Sequence, residues 1–440
     1  PYTTLFRSGL AIYNKQDATE QDVQGAIDAI QQKTDALVDI SKLGTMVNTL
    51  KEAEKNPDYN EISFSISNVR FPAQKVYTNA DATKAEVDEA VASCEKAMAH
   101  LVKGNDLGVN ISNTSYNLKK CADRYTPESF AVLQKTYDEV YPVYEEMMAL
   151  NSNQEAVDNA VASLKAAQEQ LINVEKTIEI NTAEEFFEKV LVPAQKGAAF
   201  PNGGRDDAAM KFYFTTVKLN QDIDISGMID TLYSGDISPG NNKCFAGILD
   251  GQGHTISGFD SELTGLFDSI FTYKDQNNGA LSHGCVKNLN LVLTDDYIVN
   301  RGDSYSGSVY SGILTHSLGD GAVIENCTVT GSITNTGTAP ISGIAGFVYE
   351  GGVIRNCAVN VNIKAQNCSG IVALEKYGFN EMQGTIENCY VVGSLEGEGA
   401  PIAPKGTVTN CYYQDTLTKD PASVLGTAKT LDELKQKDTY

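Results

Sequence analysis

The stretch that decides the fold is Ile324-Glu325-Asn326-Cys327-Thr328-Val329. Its apolar-x-Asn-Cys-x-apolar pattern returns at Ile354 to Val359, at Ile386 to Val391, and as Val408-Thr409-Asn410-Cys411-Tyr412-Tyr413. An earlier copy, Val286-Lys287-Asn288-Leu289-Asn290-Leu291, carries Leu in place of Cys. The five Asn are separated by 38, 30, 32 and 22 residues. Between copies recurs Ser-Gly-Ile, at Ser311-Gly312-Ile313, Ser342-Gly343-Ile344 and Ser369-Gly370-Ile371. Short alternating runs read as half-buried strands, and recurrence at a period of about 20–50 residues reads as a solenoid.

One pass of such a chain cannot bury its inward residues alone, whereas stacked passes bury a continuous column. Parallel strands lie about 4.8 Å apart, so equivalent residues of successive passes stack. The expectation is therefore structural. Asn288, Asn326, Asn356, Asn388 and Asn410 form an amide ladder at a turn. Cys327, Cys357, Cys389 and Cys411 form an internal file of small buried thiols. Parallel Cβ vectors make poor disulfide geometry, so these thiols are expected to be reduced. Glycine is expected to supply the left-handed corners. Excess length goes into loops, the longest at 228–246 and 271–284.

At 440 residues the chain has room for two to four domains. Its 42% apolar content supports packed cores. A net charge of −23 repels nucleic-acid phosphates and anionic membrane surfaces, so neither is expected as a partner. The acidic residues are dispersed, as on a solvated surface. The cysteine spacings are too long for zinc motifs. No apolar run reaches the roughly 18 residues of a membrane span. Pro1-Tyr2-Thr3-Thr4-Leu5-Phe6-Arg7-Ser8 reads as the in-frame translation of a sequencing adapter. Residues 1–8 are accordingly set aside as an artefact, with truncation expected at both ends.

Residues 9 to about 175 carry a different period. Val23, Ile27, Ile30 and Leu37 share one helical face, as do Val87, Val91, Cys94 and Leu101, and Val157, Val161, Leu164 and Leu171. Thr83-Lys84-Ala85-Glu86 spells a capping box, Thr19-Glu20-Gln21-Asp22 a weaker one, and Ser152-Asn153-Gln154-Glu155 sits one residue out of register. Thr126-Pro127-Glu128 starts another helix, which Pro142 is expected to end or kink. Three helices per unit fit the length, in units at 9–40 (truncated), 41–104 and 105–175.

The Tyr125-Thr126-Pro127-Glu128-Ser129-Phe130 stretch and the alanine-rich closing helices, such as Val157-Asp158-Asn159-Ala160-Val161, resemble FIVAR repeats. These are small helical bundles strung along large secreted bacterial proteins. The resemblance is best over residues 60 to 172, departs from the pattern around Phe64, and carries over no site residue.

Beyond Ile180 the composition turns to Gly, Asn, Val and Ser. Thr182 can cap a short helix of the kind that plugs a solenoid's end. Then come Asp222-Ile223-Asp224-Ile225-Ser226, Leu249-Asp250-Gly251-Gln252-Gly253-His254-Thr255-Ile256, Gly265-Leu266-Phe267, Lys287-Asn288-Leu289 and the repeated Asn-Cys pairs. In that order they resemble a right-handed parallel β-helix of the GLUG-repeat type. Gly343-Ile344-Ala345-Gly346 keeps that family's glycine pair, whereas Gly312 to Thr315 and Gly370 to Ala373 lack the second Gly. The resemblance implies a β-helix over 177–425, followed by a capping segment over 426–440.

Candidate chemistry is sparse. His254 beside Asp250 reads as a turn histidine. Asp295-Asp296 resembles the paired carboxylates of β-helix pectin hydrolases, but neighbours on a strand face opposite ways and cannot flank one glycosidic bond. A calcium site on Asp295, Asp296 and Asp303 has no EF-hand spacing. Arg301-Gly302-Asp303 spells an integrin-type tripeptide. His100, His254, His283 and His316 form no zinc-peptidase motif. No catalytic residue, metal site or cofactor is assigned. Carbohydrate binding would want exposed aromatic platforms; Trp is absent, and Tyr305, Tyr310, Tyr349, Tyr377, Tyr390, Tyr412 and Tyr413 fall in or near the repeats.

The fold class expected is multidomain, α then β: tandem three-helix bundles followed by a right-handed parallel β-helix. The function expected is a non-catalytic stalk or adhesion scaffold of a secreted or cell-surface bacterial protein. Its partners would be host or dietary glycans or surface proteins. Two alternatives stand beside it: a polysaccharide-degrading β-helix enzyme, and an accessory region of a peptidase or glycosidase whose catalytic domain lies elsewhere in the parent protein.

Overall fold

The computed structural model describes residues 10–35, 38–195, 212–228, 244–259, 265–294, 297–299, 311–319, 321–377, 380–418 and 424–436. The chain divides into two compact units, Pro1–Ile172 and Asn173–Tyr440. The first is helical and the second is rich in parallel strands.

The helical unit contains α1 (Glu20–Asp35), α2 (Ser41–Lys55), α3 (Ser63–Thr78), α4 (Lys84–Ala99), α5 (Asn105–Lys120), α6 (Pro127–Met148) and α7 (Gln154–Glu169). α2, α3 and α4 pack on one another, and so do α5, α6 and α7. The Val-Val-Cys and Val-Val-Leu faces point inward: Val87 and Cys94 on α4, and Val157 and Leu164 on α7, are buried in one core with Leu43, Leu50, Ile66 and Met147. Each fully buried aliphatic side chain contributes about 1.5–3 kcal/mol.

Helix starts follow local chemistry. Thr83 accepts from the Glu86 N–H while the Glu86 carboxylate accepts from the Thr83 N–H at 2.7 Å. Asn153, rather than Ser152, caps α7 through the Ala156 N–H. Pro127 occupies the first turn of α6.

Of the two outcomes expected at Pro142, an end or a kink, the end does not occur: α6 runs on to Met148. Val140 and Met147, buried on either side of the proline, anchor both halves to the core, and packing outweighs the lost N–H and ring clash. On α1, Val23 and Ile27 stay 43% and 50% exposed, so that apolar face is not a core face in the unit. Leu37 lies outside the described residues.

In the second unit an eight-stranded sheet joins Lys176–Ile180, Thr215–Leu219, Ile248–Asp250, Cys285–Lys287, Val323–Glu325, Val353–Arg355, Thr385–Glu387 and Thr407–Thr409. Every pairing in it is parallel. Val217, Leu249, Val286, Ile324, Ile354 and Ile386 stand in register at its centre, all fully buried. A second, larger parallel sheet carries Ile256, Leu291, Val329, Val359, Val391 and Tyr413 in register, again fully buried. A four-stranded third sheet adds Phe245, Ile270, Leu318 and Val348 to the same core. Phe186, Val190 and Leu191, from the short helical segment that Thr182 caps, are buried in it too.

The outward position beside the first column alternates in sign. Glu179 pairs in register with Lys218, Lys218 with Asp250, Asp250 with Lys287, Lys287 with Glu325, Glu325 with Arg355 and Arg355 with Glu387. Opposite charges directly across a sheet are mutually favourable. Arg355 and Glu325 close to 2.6 Å, Lys287 and Asp250 to 3.6 Å.

Of the long insertions, 271–284 forms a small antiparallel hairpin, Tyr273–Lys274 against Leu281–Ser282. Most of 228–246 lies outside the described residues.

Candidate functional site

The five repeated Asn sit at equivalent turns, each between a strand of the eight-stranded sheet and the next strand of the second sheet. Asn326 Nδ2 donates to Asn288 Oδ1 at 3.1 Å, Asn356 to Asn326 at 3.2 Å, Asn388 to Asn356 at 3.1 Å and Asn410 to Asn388 at 3.3 Å. All side-chain donors point toward the chain's N-terminal end. There Asn288 Nδ2 donates to the Asp250 carboxylate at 3.0 Å. Burial would raise the Asp250 carboxyl; bonds from Asn288 and the Gln252 N–H, with Lys287 nearby, bring it below the usual value.

The Asn residues also supply the corner. Their φ angles are +51° to +53°. Among side-chain-bearing residues Asn tolerates this left-handed region best, because its short amide can bond locally. The expected glycine corners are thus partly asparagine corners. Glycine serves a different need at Gly312, Gly343 and Gly370. A Cβ there would overlap the carbonyl oxygens of Ile344, Gly370 and Pro401 respectively.

Directly inside the ladder, Leu289, Cys327, Cys357, Cys389 and Cys411 are all buried. Each thiol lies against the carbonyl two residues earlier: Glu325, Arg355, Glu387 and Thr409, at 3.1–3.3 Å. All four are unbridged. Hydrogen bonding to Cys327, with burial, pushes the Cys357 thiol well up. Cys357 and burial do the same to Cys389, as do Cys389 and burial to Cys411. Thiols held neutral in this way make poor nucleophiles and metal ligands.

The other candidates disperse. His254 Nδ1 faces Asp222 at 3.2 Å, not Asp250. His100 Nδ1 meets the Ser152 carbonyl at 2.8 Å. Asp295, Asp296, Arg301, Gly302, Asp303, Tyr305 and Tyr310 lie outside the described residues. Tyr413 is a core residue, and Tyr390 and Tyr412 stand side by side, half-buried. Among the described residues no His, Cys, Asp or Glu cluster suits a metal ion. No described helix is long and apolar enough to cross a membrane.

Two surfaces escaped the sequence reading. One is the solvent face of the second sheet, where Thr330, Ser332 and Thr334 stand beside Asn360, Asn362 and Lys364, and these beside Val392, Ser394 and Glu396. Ser394 Oγ donates to Asn362 Oδ1 at 2.9 Å. The other is a cleft of about 520 Å³ in the helical unit, lined by Glu61, α5 and the tyrosines of α6. Tyr137, Tyr141 and Tyr144 recur at helical spacing, which is the signal that could have found it.

A family model described as FIVAR domain matches residues 8–38 and 72–102. Neither segment includes Tyr125 to Phe130, so the match rests on the first two closing helices. No curated protein and no solved structure matches the chain.

Proposed function

We propose that the strand-rich unit is a right-handed parallel β-helix of the GLUG-repeat type, wound over 177–425 and capped by 426–440. In this reading FIVAR-like helical units at 9–40, 41–104 and 105–175 precede it. The chain serves as a non-catalytic stalk and adhesion scaffold of a secreted or cell-surface bacterial protein. One observation carries the reading: the same left-handed Asn corner recurs in five passes, each bonded to the one before. That repetition spends sequence on a long, regular body rather than on a reactive centre. The ladder's role is to lock each pass in register with its neighbours, with the thiol file filling the space behind it.

Glycans are the ligand class that the outer face of the second sheet suits. Hydroxyl and amide groups stand there in a strand-spaced array, and Tyr390 and Tyr412 offer aromatic surface beside it. A glycan array and a mucin pull-down with the full chain test this. Saturable binding that Asn360→Ala with Asn362→Ala weakens is the expected result. Binding to no glycan and no surface protein would remove the adhesive role.

A further inference from the structure

The geometry points to the cleft between Glu61, α5 and α6 as a binding site for a quaternary ammonium group. This site lies wholly in the helical unit and does not depend on the scaffold reading. Three features define it. First, Tyr137, Tyr141 and Tyr144 line one wall as a row of rings, centroids 5.5 and 6.0 Å apart and tilted 35° and 39°. Tyrosine rings present electron-rich faces, which attract a cation within about 6 Å.

Second, a fixed carboxylate, that of Glu61, lies at the end of the tyrosine row. The Glu61 N–H donates to Asn105 Oδ1 at 3.0 Å, and Asn105 Nδ2 in turn donates to the Pro57 carbonyl at 2.6 Å. The carboxylate lies flat on α5 at Gly108, where any Cβ would overlap it. Tyr144 donates its hydroxyl to Glu61 Oε1 at 2.7 Å. Third, among the described residues none that lines the cleft is a cation, so the lining itself brings Glu61 no counterion.

The chemistry selects the ligand. A primary ammonium is strongly hydrated and leaves water only for several strong acceptors; Glu61 is the one carboxylate of the lining, and the hydroxyls of Ser112, Ser115 and the tyrosines are weaker acceptors. A quaternary ammonium needs none: it is weakly hydrated, its methyl groups pack on rings, and its charge is met by Glu61 and the ring faces. Tyr141, 37% exposed, is the ring open to solvent and to an arriving ligand. A chain of net charge −23 draws cations toward it at low salt.

Isothermal titration of the full chain with choline chloride and tetramethylammonium chloride tests the inference. The neutral isostere 3,3-dimethylbutan-1-ol and a neutral N-acetyllactosamine oligomer serve as comparisons. Saturable choline binding, about tenfold tighter than the isostere and weakened by salt, is expected. Glu61→Gln and Tyr141→Ala should each lower the affinity about tenfold, and Tyr141→Phe should keep it. Unchanged helical circular dichroism in each variant separates lost binding from lost folding. The proposal fails if choline shows no saturable binding, or if the isostere binds as tightly. It fails equally if both Glu61→Gln and Tyr141→Ala bind choline like the parent. Oligosaccharide binding insensitive to Glu61→Gln, without choline binding, would assign the cleft to sugars instead.

Discussion

Replacing Asn356 separates the two things that residue does. Its Nδ2 donates to Asn326, its Oδ1 accepts from Asn388, and its backbone sits at φ +53°. Asn356→Ala removes both bonds and leaves a Cβ without a local amide in the left-handed region. At about 0.5–1.5 kcal/mol per bond and about 1 kcal/mol for the backbone, the loss is about 2–4 kcal/mol. Asn356→Gly removes the same bonds without the backbone penalty, so about 1–3 kcal/mol is expected, about 1 kcal/mol less than for Ala. Asn410, at the ladder's far end, makes one ladder bond, so Asn410→Ala should cost about 1 kcal/mol less than Asn356→Ala. Native-state hydrogen exchange by mass spectrometry over 353–361 reads the local opening free energy directly. Equal and small effects of Ala and Gly, both under about 0.5 kcal/mol, would falsify the ladder as a register lock.

Three further outcomes follow from the same structure. Gly370→Ala drives a methyl into the Pro401 carbonyl and should destabilise the strand-rich unit by at least about 2 kcal/mol, while Gly25→Ala on α1, with open space around it, should stabilise by up to about 1 kcal/mol; thermal melts compare them. The thiols of Cys327, Cys357, Cys389 and Cys411 should resist a soluble disulfide reagent in native protein and react fully in denaturant; fast native labelling of all four would contradict the buried file. Arg70 and Ser67 hold the Glu54 carboxyl below its ordinary value. A depressed pKa contributes stability above the unfolded value, about 4.5, that is lost as pH falls through the folded value. Urea midpoints of the helical unit should therefore drop below about pH 4.5, and less steeply in Glu54→Gln.

What the sequence made legible was whatever repeats with its chemistry intact. Asn326 and Asn356 occupy equivalent turns because the strands that flank them pair in register, so their spacing exposes them. The cleft follows another logic: Tyr144 meets a carboxylate 83 residues away, and no local pattern announces that meeting. The charge column is hidden for a similar reason. Lys218, Asp250 and Lys287 are each ordinary surface residues until register puts them side by side. At Pro142 the sequence leaves an end and a kink open, and it is Val140 and Met147 in the core that rule out the end. The left-handed Asn corners were hidden behind the more familiar glycine rule.

The alternating column from Glu179 to Glu387 also imposes a parity on how this chain can change length. Deleting a single interior pass would set two like charges against each other, whereas deleting two adjacent passes restores opposite neighbours. Natural length variants of the strand-rich unit should therefore gain or lose passes in even numbers, or carry a compensating charge reversal at the seam.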